Sequence, residues 1–522
     1  MLIYLLVPVF ISRAQLSFPV EEYYHRSADR FFLRDSTEHD FYNQQLTSKP
    51  ILQERSYPDS IFFDNSKQYY WITQKLFKEN FLIFKGEDFW CAVDPIVDVE
   101  GGKDLASDSS QTNYWNTRGI RVQAKFLDKI GFVTTFYENQ AMVPGYQSDI
   151  FQSRGEYILA GGGTTYKQVN AVVPGYARTK SFKTSGYDFA FAEGYFTASP
   201  SRFFKLDFGN GSQFIGNGYR SLLLSDNAVN FPFLKLETNF WNNRVQFHVM
   251  YTQLTNLFRL EYFNTPEATY ERKWGSFHFA EIAVTKNILL GFFEGSVWRH
   301  TDSLGTHPMN GAMLNPVPFI NSLLIEDSNY NQVAGMNICI QFARNILYSQ
   351  ILIDHGKIAG YQVGFKSYDI FIPELDFLAE YNHAAQNAYL SNERRYNYSH
   401  YNSSLAHPLG SGFDELIFKI NYQYNRWFFS QHITYSAQLY SDSINTGSNI
   451  LLAYSNNNAA DFDRNKVFYS QTEAGYQFNK RYNLQLAAGY IHRQSTRSLS
   501  NNLTDYVYLT VRTRLRNKRF DY

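Results

Sequence analysis

The chain has 522 residues, which is too long for one ordinary domain unless that domain is a large barrel. Its 48 Lys and Arg residues balance 48 Asp and Glu residues, and this zero net charge argues against a nucleic-acid-binding protein. Aromatic residues make up 18% of the chain, yet the mean hydropathy is −0.38. No run of about 18 apolar residues occurs, which excludes a bundle of membrane-spanning helices. This combination is typical of a membrane-spanning β-barrel, whose strands alternate lipid-facing and lumen-facing residues between aromatic girdles.

The chain begins with a short apolar run over residues 2–11, followed by small and polar residues up to Gln15. The run is too short to cross a bilayer but has the length of a secretory signal, so residues 1–15 are predicted to be a signal peptide. The alternative is a buried N-terminal strand. No cysteine follows the run, so a lipoprotein anchor is not expected. We therefore expect an exported protein.

Residues 16–86 have a mixed pattern, which we interpret as a small, partly helical N-terminal segment in the periplasm. Within it, Asn65-Ser66 is a candidate cap for a helix over residues 67–79. Tyr69, Ile72 and Leu76 would lie on one face of that helix.

From residue 87 onward the hydrophobic pattern has a period of two. Leu416, Phe418 and Ile420 alternate with the polar or charged residues Glu415 and Lys419, for example. A second alternating run, over residues 427–439, follows after only Asn425-Arg426, which predicts a hairpin. Each arm has the roughly 9–11 residues that a tilted strand needs to cross a bilayer.

The same pattern of paired strands recurs along the chain. Tight turns are predicted at 127–129, 199–202, 241–244, 286–287, 344–345, 372–374, 425–426 and 479–481. Long polar loops are predicted at 139–185, 209–230, 255–275, 300–332, 382–412 and 441–466. Short turns on one side and long loops on the other are typical of an outer-membrane barrel. With both termini in the periplasm, eight turns imply about eighteen strands, so residues 87–522 are predicted to be an all-β, transmembrane antiparallel outer-membrane β-barrel.

The last strand predicts how the barrel closes. Val507, Leu509 and Val511 alternate with Tyr508 and Thr510, and an amphipathic last strand is required because an unpaired edge is not tolerated in lipid. The residues that follow, up to residue 522, are expected to trail into the periplasm. A soluble β-sandwich is the alternative, but it would rarely sustain apolar aromatic faces over so many long strands.

The two cysteines, Cys91 and Cys339, are too few for a disulfide scaffold or a cysteine-based metal site. They are either free and buried or paired in an oxidising compartment.

A glycine-rich stretch over residues 207–228 is the most distinctive part of the sequence. It lacks the Gly-Lys-Ser/Thr of a phosphate-binding loop and the spacing of a dinucleotide-binding motif, so a nucleotide site is not expected. Two interpretations stay open: an extracellular loop whose glycines permit positive φ, or a loop folded over or into the lumen that presents polar side chains to a glycan. The candidate residues are Gln213, Asn217, Tyr219, Arg220, Ser225, Asp226 and Asn227.

The longest predicted loop contains an internal repeat, Val-Pro-Gly-Tyr at 143–146 and again at 173–176. Pro-Gly favours type II turns, and Tyr146 and Tyr176 would each place a rigid ring against a sugar or the barrel wall. Both a lumen plug and a binding site are consistent with this pattern.

Catalysis has no positive support in the sequence. His383, His400 and His407 lie in one predicted loop region without metal-ligand spacing, and no Ser-His pair is coupled to an acid. We therefore expect a non-enzymatic protein without cofactor or metal.

The chain resembles the Wzi-type capsule-assembly family of outer-membrane barrels over roughly residues 85–515. It looks closest to members from Bacteroidota, some of which are described as gliding-motility proteins of the RemB type. The most specific part is the Gly-Tyr-Arg-Ser-Leu-Leu-Leu-Ser-Asp-Asn run at 218–227. Further similar stretches lie at 116–119, 138–140, 173–176, 315–316, 350–354, 360–366, 380–382, 398–401 and 407–410.

The resemblance implies an eighteen-stranded barrel in the outer membrane, and the asymmetry of turns and loops predicts that the long loops are extracellular. It also implies a role in attachment, assembly or export of capsular or extracellular polysaccharide, or in surface organisation connected with gliding. The expected partners are outer-membrane lipids, surface polysaccharide and envelope proteins of a secretion or motility machine. A porin-like channel or transporter and a structural partner of such a machine are the alternative functions.

Overall fold

The computed structural model describes most of the chain. The described residues are 22–34, 48–49, 70–107, 112–127, 129–160, 165–201, 203–260, 270–302, 305–309, 311–315, 317, 330–498, 500–513 and 516–522. The predicted signal peptide (1–15), the predicted helix cap (65–66) and much of the predicted N-terminal segment lie outside the described residues.

Within these ranges, eighteen antiparallel strands form one closed barrel. The strands are β1 (Phe89–Asp104), β2 (Asn113–Phe126), β3 (Ile130–Met142), β4 (Gly186–Ser201), β5 (Phe204–Gly211), β6 (Phe231–Phe240), β7 (Val245–Arg259), β8 (Tyr270–Thr285), β9 (Ile288–Asp302), β10 (Tyr330–Phe342), β11 (Asn345–Asp354), β12 (Lys357–Ser367), β13 (Leu375–Ala384), β14 (Phe413–Tyr424), β15 (Trp427–Tyr440), β16 (Asp463–Asn479), β17 (Leu484–Arg497) and β18 (Ser500–Thr513). Each strand pairs with the next, and β18 pairs with β1 from Tyr506↔Asp104 to Arg512↔Asp98. The predicted fold class and strand number are confirmed.

Side chains alternate between the outer wall and the lumen, as the period-two pattern predicts. On β14, Leu416, Phe418 and Ile420 are 39%, 42% and 41% exposed, whereas the alternate residues Glu415, Ile417 and Lys419 are buried inside. An outer band of apolar residues around a polar interior is the arrangement of a barrel that contacts lipid. The closing strand β18 repeats it, with Val507, Leu509 and Val511 outside and Tyr506, Tyr508 and Thr510 inside.

The two ends of the barrel differ in the length of their connections. At the short-turn end the connecting segments are 127–129, 202–203, 241–244, 286–287, 343–344, 368–374, 425–426 and 480–483. At the long-loop end they are 105–112, 143–185, 212–230, 260–269, 303–329, 355–356, 385–412, 441–462 and 498–499. Each of the eight predicted turns overlaps one of these short segments. The turn predicted at 199–202 lies at 202–203 because β4 continues to Ser201, and the turns predicted at 344–345, 372–374 and 479–481 lie at 343–344, 368–374 and 480–483.

Two helices lie at the short-turn end, α1 (Glu22–Arg34) and α2 (Trp71–Phe77). α1 was not predicted; its Arg30 pairs with Glu374 and Asp376 at the barrel rim, and its Glu22 pairs with Lys419 inside. None of the helices in the described ranges is long and apolar enough to cross a membrane.

Of the predicted helix over 67–79, residues 67–69 lie outside the described residues; the rest is present as α2, which ends at Phe77. The side chain of Asn479 donates hydrogen bonds of 3.0 Å to the carbonyl oxygens of both Lys75 and Glu79, and Tyr482 donates one of 2.9 Å to Lys75. These bonds satisfy carbonyl groups at the C-terminal end of α2, so they hold the helix against the turn between β16 and β17.

The seam between the first and last strands contains a second pairing. β18 covers only residues 98–104 of β1, and the short strand Leu82–Lys85 pairs with residues 90–93 of the same edge. The segment before β1 thus folds back and satisfies backbone groups that β18 leaves unpaired.

The residues after β18 correct one expectation. The sequence predicts that they trail into the periplasm; instead, residues 516–522 turn back into the lumen, where Phe520, Asp521 and Tyr522 are buried. Lys518 pairs with Asp98 of β1, and Arg519 approaches Asp226 to 2.6 Å. The physical reason is charge, because the basic residues of this tail find acidic partners inside the barrel.

Candidate functional site

The glycine-rich loop over residues 212–230 lies inside the barrel and is nearly all buried. Its short strand Phe214–Ile215 forms an isolated bridge between Ile215 and Leu224, which closes the loop on itself. Gly216 has a φ of +131°, and a Cβ there would meet the Gln350 amide nitrogen at 2.2 Å. The loop therefore needs glycine at this position both for its backbone angle and for its approach to the wall. We call residues 212–230 the plug loop.

A buried arginine fixes the tip of the plug loop. Arg220 is 1% exposed, and its guanidinium lies 3.2 Å from the Glu415 carboxylate of β14 and 2.9 Å from the Asp521 carboxylate of the tail. Burial disfavours the charge of Arg220, but Asp521 and Glu415 outweigh it and raise its pKa well above the ordinary value. The cluster joins loop, wall and tail.

A second carboxylate holds the backbone next to this arginine. The N–H groups of Tyr219 and Arg220 donate to the two oxygens of Glu380 at 2.7 and 3.0 Å. The same carboxylate accepts the hydroxyl of Tyr348 at 2.7 Å. Charge-assisted bonds of this kind are the stronger hydrogen bonds of proteins, so Glu380 orients the loop tip toward the wall.

The apolar run that follows is bound through its backbone. Leu222, Leu223 and Leu224 are fully buried in the largest core cluster. The carbonyl oxygens of Leu222 and Leu223 accept hydroxyl groups of Tyr389 and Tyr398 at 2.7 and 2.9 Å. Both tyrosines belong to the 385–412 loop, so two long loops pack together inside the lumen.

The remaining predicted site residues of the plug loop are Asn217, Asn227, Gln213, Ser225, Tyr219 and Asp226, and all but Gln213 have hydrogen-bond or ion-pair partners within the protein. Asn217 accepts a hydrogen bond from Asn337, and Asn227 donates one to the Ser404 carbonyl, each at 3.0 Å. Gln213 is buried. The Ser225 hydroxyl donates to the Ala406 carbonyl, the Tyr219 hydroxyl donates to Asp521, and Asp226 pairs with Arg519.

The other predicted pair, Tyr146 and Tyr176, also lies inside the barrel. Tyr146 is on α3 (Gly145–Ser153), which starts directly after Pro144, and Arg493 of β17 stacks on its ring at 4.9 Å. Burial raises the pKa of Tyr146 to about 12. Tyr176 follows Gly175, whose φ is +76°, and meets the Trp115 ring edge-on at 5.9 Å.

These two tyrosines border a cavity between α3, the plug loop, the tail and the barrel wall. The centres of water-sized molecules can occupy about 120 Å³ of this space, which we call the lumen cavity. Its aromatic lining comprises Trp115, Tyr137, Tyr146, Tyr176, Phe191, Tyr469, Tyr506, Tyr508 and Phe520. Its charged lining comprises Asp98, Glu100, Arg121, Glu193, Asp226, Arg512, Arg516 and Lys518.

Among the described residues, the buried polar atoms at this cavity that lack a hydrogen-bond partner include one on Thr135 and one on Arg516. The hydroxyl of Thr135 on β3 is buried, with the residue 4% exposed, and the Nη1 atom of Arg516 is buried as well. Buried polar groups are normally paired, so an unpaired one at a cavity is a position where a water or another small molecule can bind.

The sequence interpretation missed the wall residues of the cavity and all of its tail residues. Strand alternation places Thr117 and Thr135 on the inner face, but it does not distinguish a cavity from a filled part of the lumen. The tail was missed because its place depends on partners more than 290 residues away, such as Asp226 for Arg519.

The three histidines noted in the sequence do not come together. His383 pairs with Asp414 on the outer wall at 2.8 Å, His400 accepts the N–H of Thr255 at 2.9 Å, and His407 contacts Glu415 at 2.7 Å in the lumen. Among the described residues, no group of three or more His, Cys, Asp or Glu side chains is placed to hold a metal ion. Cys339 is buried, Cys91 is half-buried, and both are free thiols.

Comparison with solved structures identifies barrels of similar architecture. Wzi of Escherichia coli, an outer-membrane protein involved in group 1 capsule assembly and a carbohydrate-binding β-barrel, matches with a TM-score of 0.54 and 10% identity, over 96% of this chain and 99% of that chain. At this identity the likeness establishes the fold alone.

Two porins match less well. They are a BenF-like porin from Pseudomonas fluorescens (TM-score 0.43, 10% identity, 81% of this chain and 98% of that chain) and OprD of Pseudomonas aeruginosa (TM-score 0.42, 8% identity, 81% and 94%). No protein-family model and no curated protein matches the sequence.

Proposed function

We propose that this protein is a non-enzymatic outer-membrane barrel that attaches capsular or extracellular polysaccharide to the cell surface. The observation that carries the proposal is the filled lumen, in which long loops and the tail surround a cavity lined by aromatic and polar groups. Aromatic faces and convergent hydrogen-bonding groups suit the recognition of sugars.

The proposed location rests on the outer wall and the asymmetry of the ends. A band of exposed apolar side chains such as Phe418 and Leu509 surrounds a polar interior, which suits insertion in lipid. We place the long-loop end outside the cell and α1 with the short turns in the periplasm, as in other barrels of this class. The carbohydrate-binding role of Wzi, which has a similar fold, agrees with the proposed ligand.

A porin-like channel is the second candidate, because charged side chains line part of the inner wall. Lys205, Asp207 and Lys235 form one such group, with Asp207 3.0 Å from Lys235. The plug loop and tail favour attachment over conduction, since they occupy the space that a channel needs. A place in a secretion or motility machine, including gliding, would instead require protein partners at the short-turn end.

The test is the ratio of cell-bound to released surface polysaccharide, measured in cells that lack the protein and in cells complemented with it. We expect a shift toward released polymer without a change in total synthesis, and recovery on complementation. A ratio that stays unchanged in the deletion strain would contradict the attachment role. Spreading assays on the same strains then test the motility alternative.

A further inference from the structure

We infer that helix α2 lies in the headgroup layer of the phospholipid leaflet at the short-turn end and holds the seam of the barrel against the membrane. The inference rests on the proposed membrane location. It goes further, because residues 70–85 precede the first barrel strand and belong to the segment that is predicted from the sequence to lie in the periplasm. We call residues 70–85 the seam segment.

The strand Leu82–Lys85 of the seam segment fills a gap in the wall below the end of β18. It pairs with residues 90–93 of β1, whereas β18 pairs with residues 98–104 of the same edge. By this register, Leu82 and Phe84 share the outer face of β1, and they are 38% and 51% exposed. The strand therefore continues the apolar outer wall across the seam, where the wall contacts lipid.

α2 lies at the rim next to this strand and reaches the outer face of the wall through Phe77. The centroid of its ring is 6.0 Å from that of Phe478, which faces outward on β16. Phe478 in turn meets Tyr476 at 5.1 Å, and Tyr476 meets Trp427 at 5.1 Å. Rows of aromatic rings mark the membrane interfaces of a barrel, and α2 extends such a row.

The exposed face of α2 is apolar. Tyr70, at the N-cap position, and Trp71 are 75% and 61% exposed. Ile72 and Leu76 are one turn apart on one face of the helix and are 48% and 37% exposed. Aromatic side chains beside aliphatic ones are typical of a helix in the plane of a membrane surface, because tyrosine and tryptophan prefer the level of the headgroups.

Charge and continuity favour a lipid surface as the occupant of this face. The seam segment contains three lysines and one glutamate, which gives a net charge of +2. Lys75 pairs with Glu79 at 2.7 Å, so Lys78 and Lys85 carry the excess charge. Phosphate groups of phospholipids attract such basic side chains. Since the apolar face adjoins the lipid-facing wall, one bilayer covers both.

Hydrogen bonds connect α2 to both sides of the seam. Asn479 and Tyr482 hold its C-terminal end against the turn between β16 and β17. The backbone N–H of Phe81 and the side-chain amide of Asn80 donate to the Asp94 carboxylate of β1 at 2.9 and 2.7 Å. An α2 that is anchored in lipid therefore holds the last and first parts of the wall together.

The experiment places a nitrobenzoxadiazole label on Ile72→Cys in the full chain, with Cys91→Ala and Cys339→Ala, refolded into vesicles of phosphatidylcholine and phosphatidylglycerol. Its quenching is compared between a nitroxide at the lipid headgroup and one at the end of the acyl chain. We expect the headgroup nitroxide to quench about twofold more strongly, because the two nitroxides differ in depth by about 15 Å. A label on Leu76→Cys, on the same face, should give the same order.

Phe418→Cys and Ile444→Cys are the controls. Phe418 is in the middle of the outward face of β14, so its label should be quenched more by the deep nitroxide. Ile444 is 54% exposed, close to the 48% of Ile72, but it lies in the 441–462 loop at the long-loop end. Its label should be quenched by iodide in the water and by neither lipid nitroxide.

Three results would overturn the inference. The first is an Ile72→Cys label that iodide quenches and the lipid nitroxides do not. The second is a label that neither iodide nor nitroxide reaches, since a protein surface would then cover α2. The third is stronger quenching by the deep nitroxide. If the Phe418→Cys label is quenched in any of these cases, the membrane location stands; if it is not, the location fails as well. The polysaccharide ratio tests the attachment role separately.

Discussion

At the scale of single residues, the buried charge cluster around Arg220 decides how the lumen is filled. One guanidinium pairs with both Glu415 of the wall and Asp521 of the tail, and all three side chains are buried. A buried ion pair adds little net stability relative to apolar residues, but removing one partner leaves an uncompensated charge. The cluster therefore acts mainly by specifying one arrangement of loop, wall and tail.

Arg220→Met should destabilise the folded barrel by about 3–5 kcal/mol, because the buried carboxylates of Glu415 and Asp521 would lose the guanidinium that they share. Urea unfolding followed by tryptophan fluorescence in lipid vesicles measures the change. Arg464→Met is the control, since Arg464 and its partner Asp414 are on the exposed outer rim and should lose less than about 1 kcal/mol. Adding Glu415→Gln and Asp521→Asn to Arg220→Met removes both buried carboxylates and should recover much of the lost stability. Equal losses of stability in Arg220→Met and Arg464→Met would contradict this account.

The acid sensitivity of the tail follows from Asp521. Burial opposes its ionisation, but Arg220 and then His432 outweigh burial and hold the pKa of Asp521 below its ordinary value. A lowered folded-state pKa stabilises the fold above the ordinary carboxyl pKa of about 4, and this contribution is lost as the pH falls further.

Asp521→Asn should therefore melt at a lower temperature than the wild type at pH 7, and the difference should narrow between pH 4 and pH 2. Thermal unfolding of both proteins across this range is the measurement. Asp461→Asn, at an exposed position of the 441–462 loop, is the control and should show no such dependence. A difference that is constant from pH 7 to pH 2 would contradict the assigned charge state.

At the scale of elements, the strands can be predicted from the local sequence, whereas the positions of the loops cannot. The strands could be predicted because alternation is local: Phe418 faces out and Lys419 faces in whatever the rest of the chain does. Helix α2 ends at Phe77 and not at the predicted residue 79, because Asn479 and Tyr482 of a distant turn bind carbonyl groups at this end. The plug loop has no periodic pattern, so its composition left both an external and an internal position open.

The outward face of β14 provides a test of the strand assignment. Phe418→Arg places a charge at the middle of the apolar band and should cost about 2–4 kcal/mol of stability in a bilayer. Tyr424→Arg, at the end of the same strand and 63% exposed, should cost at most about 1 kcal/mol. Urea titrations of refolded protein in vesicles compare the two, and a similar loss at both positions would argue against a lipid-facing band.

At the scale of the whole molecule, the barrel is a closed wall around packed loops. Residues 212–230, the 385–412 loop, α3 and the tail contact one another and the inner wall. The interior thus resembles a folded core in its packing more than an open pore. This arrangement suits a binding protein, because a rigid wall holds loop side chains in fixed positions.

Planar-bilayer recording should therefore find little steady conductance for the wild type. A variant that ends at residue 515 removes Lys518, Arg519 and Asp521, the tail residues that pair with the wall and the plug loop, so it should open larger and more frequent current steps. Arg464→Met, on the outer rim, serves as the control and should behave as the wild type does. Steady porin-like currents from the wild type would refute the filled lumen and favour the channel.

The sequence by itself determined the barrel, its strand number and the difference between its ends. These features follow from a period of two and from the spacing of turns, which are properties of neighbouring residues. Only the tertiary structure decided where the loops and the tail lie. Tyr219 contacts Asp521 across 302 positions of the chain, and such contacts form only once the closed wall has brought both segments into the same small space.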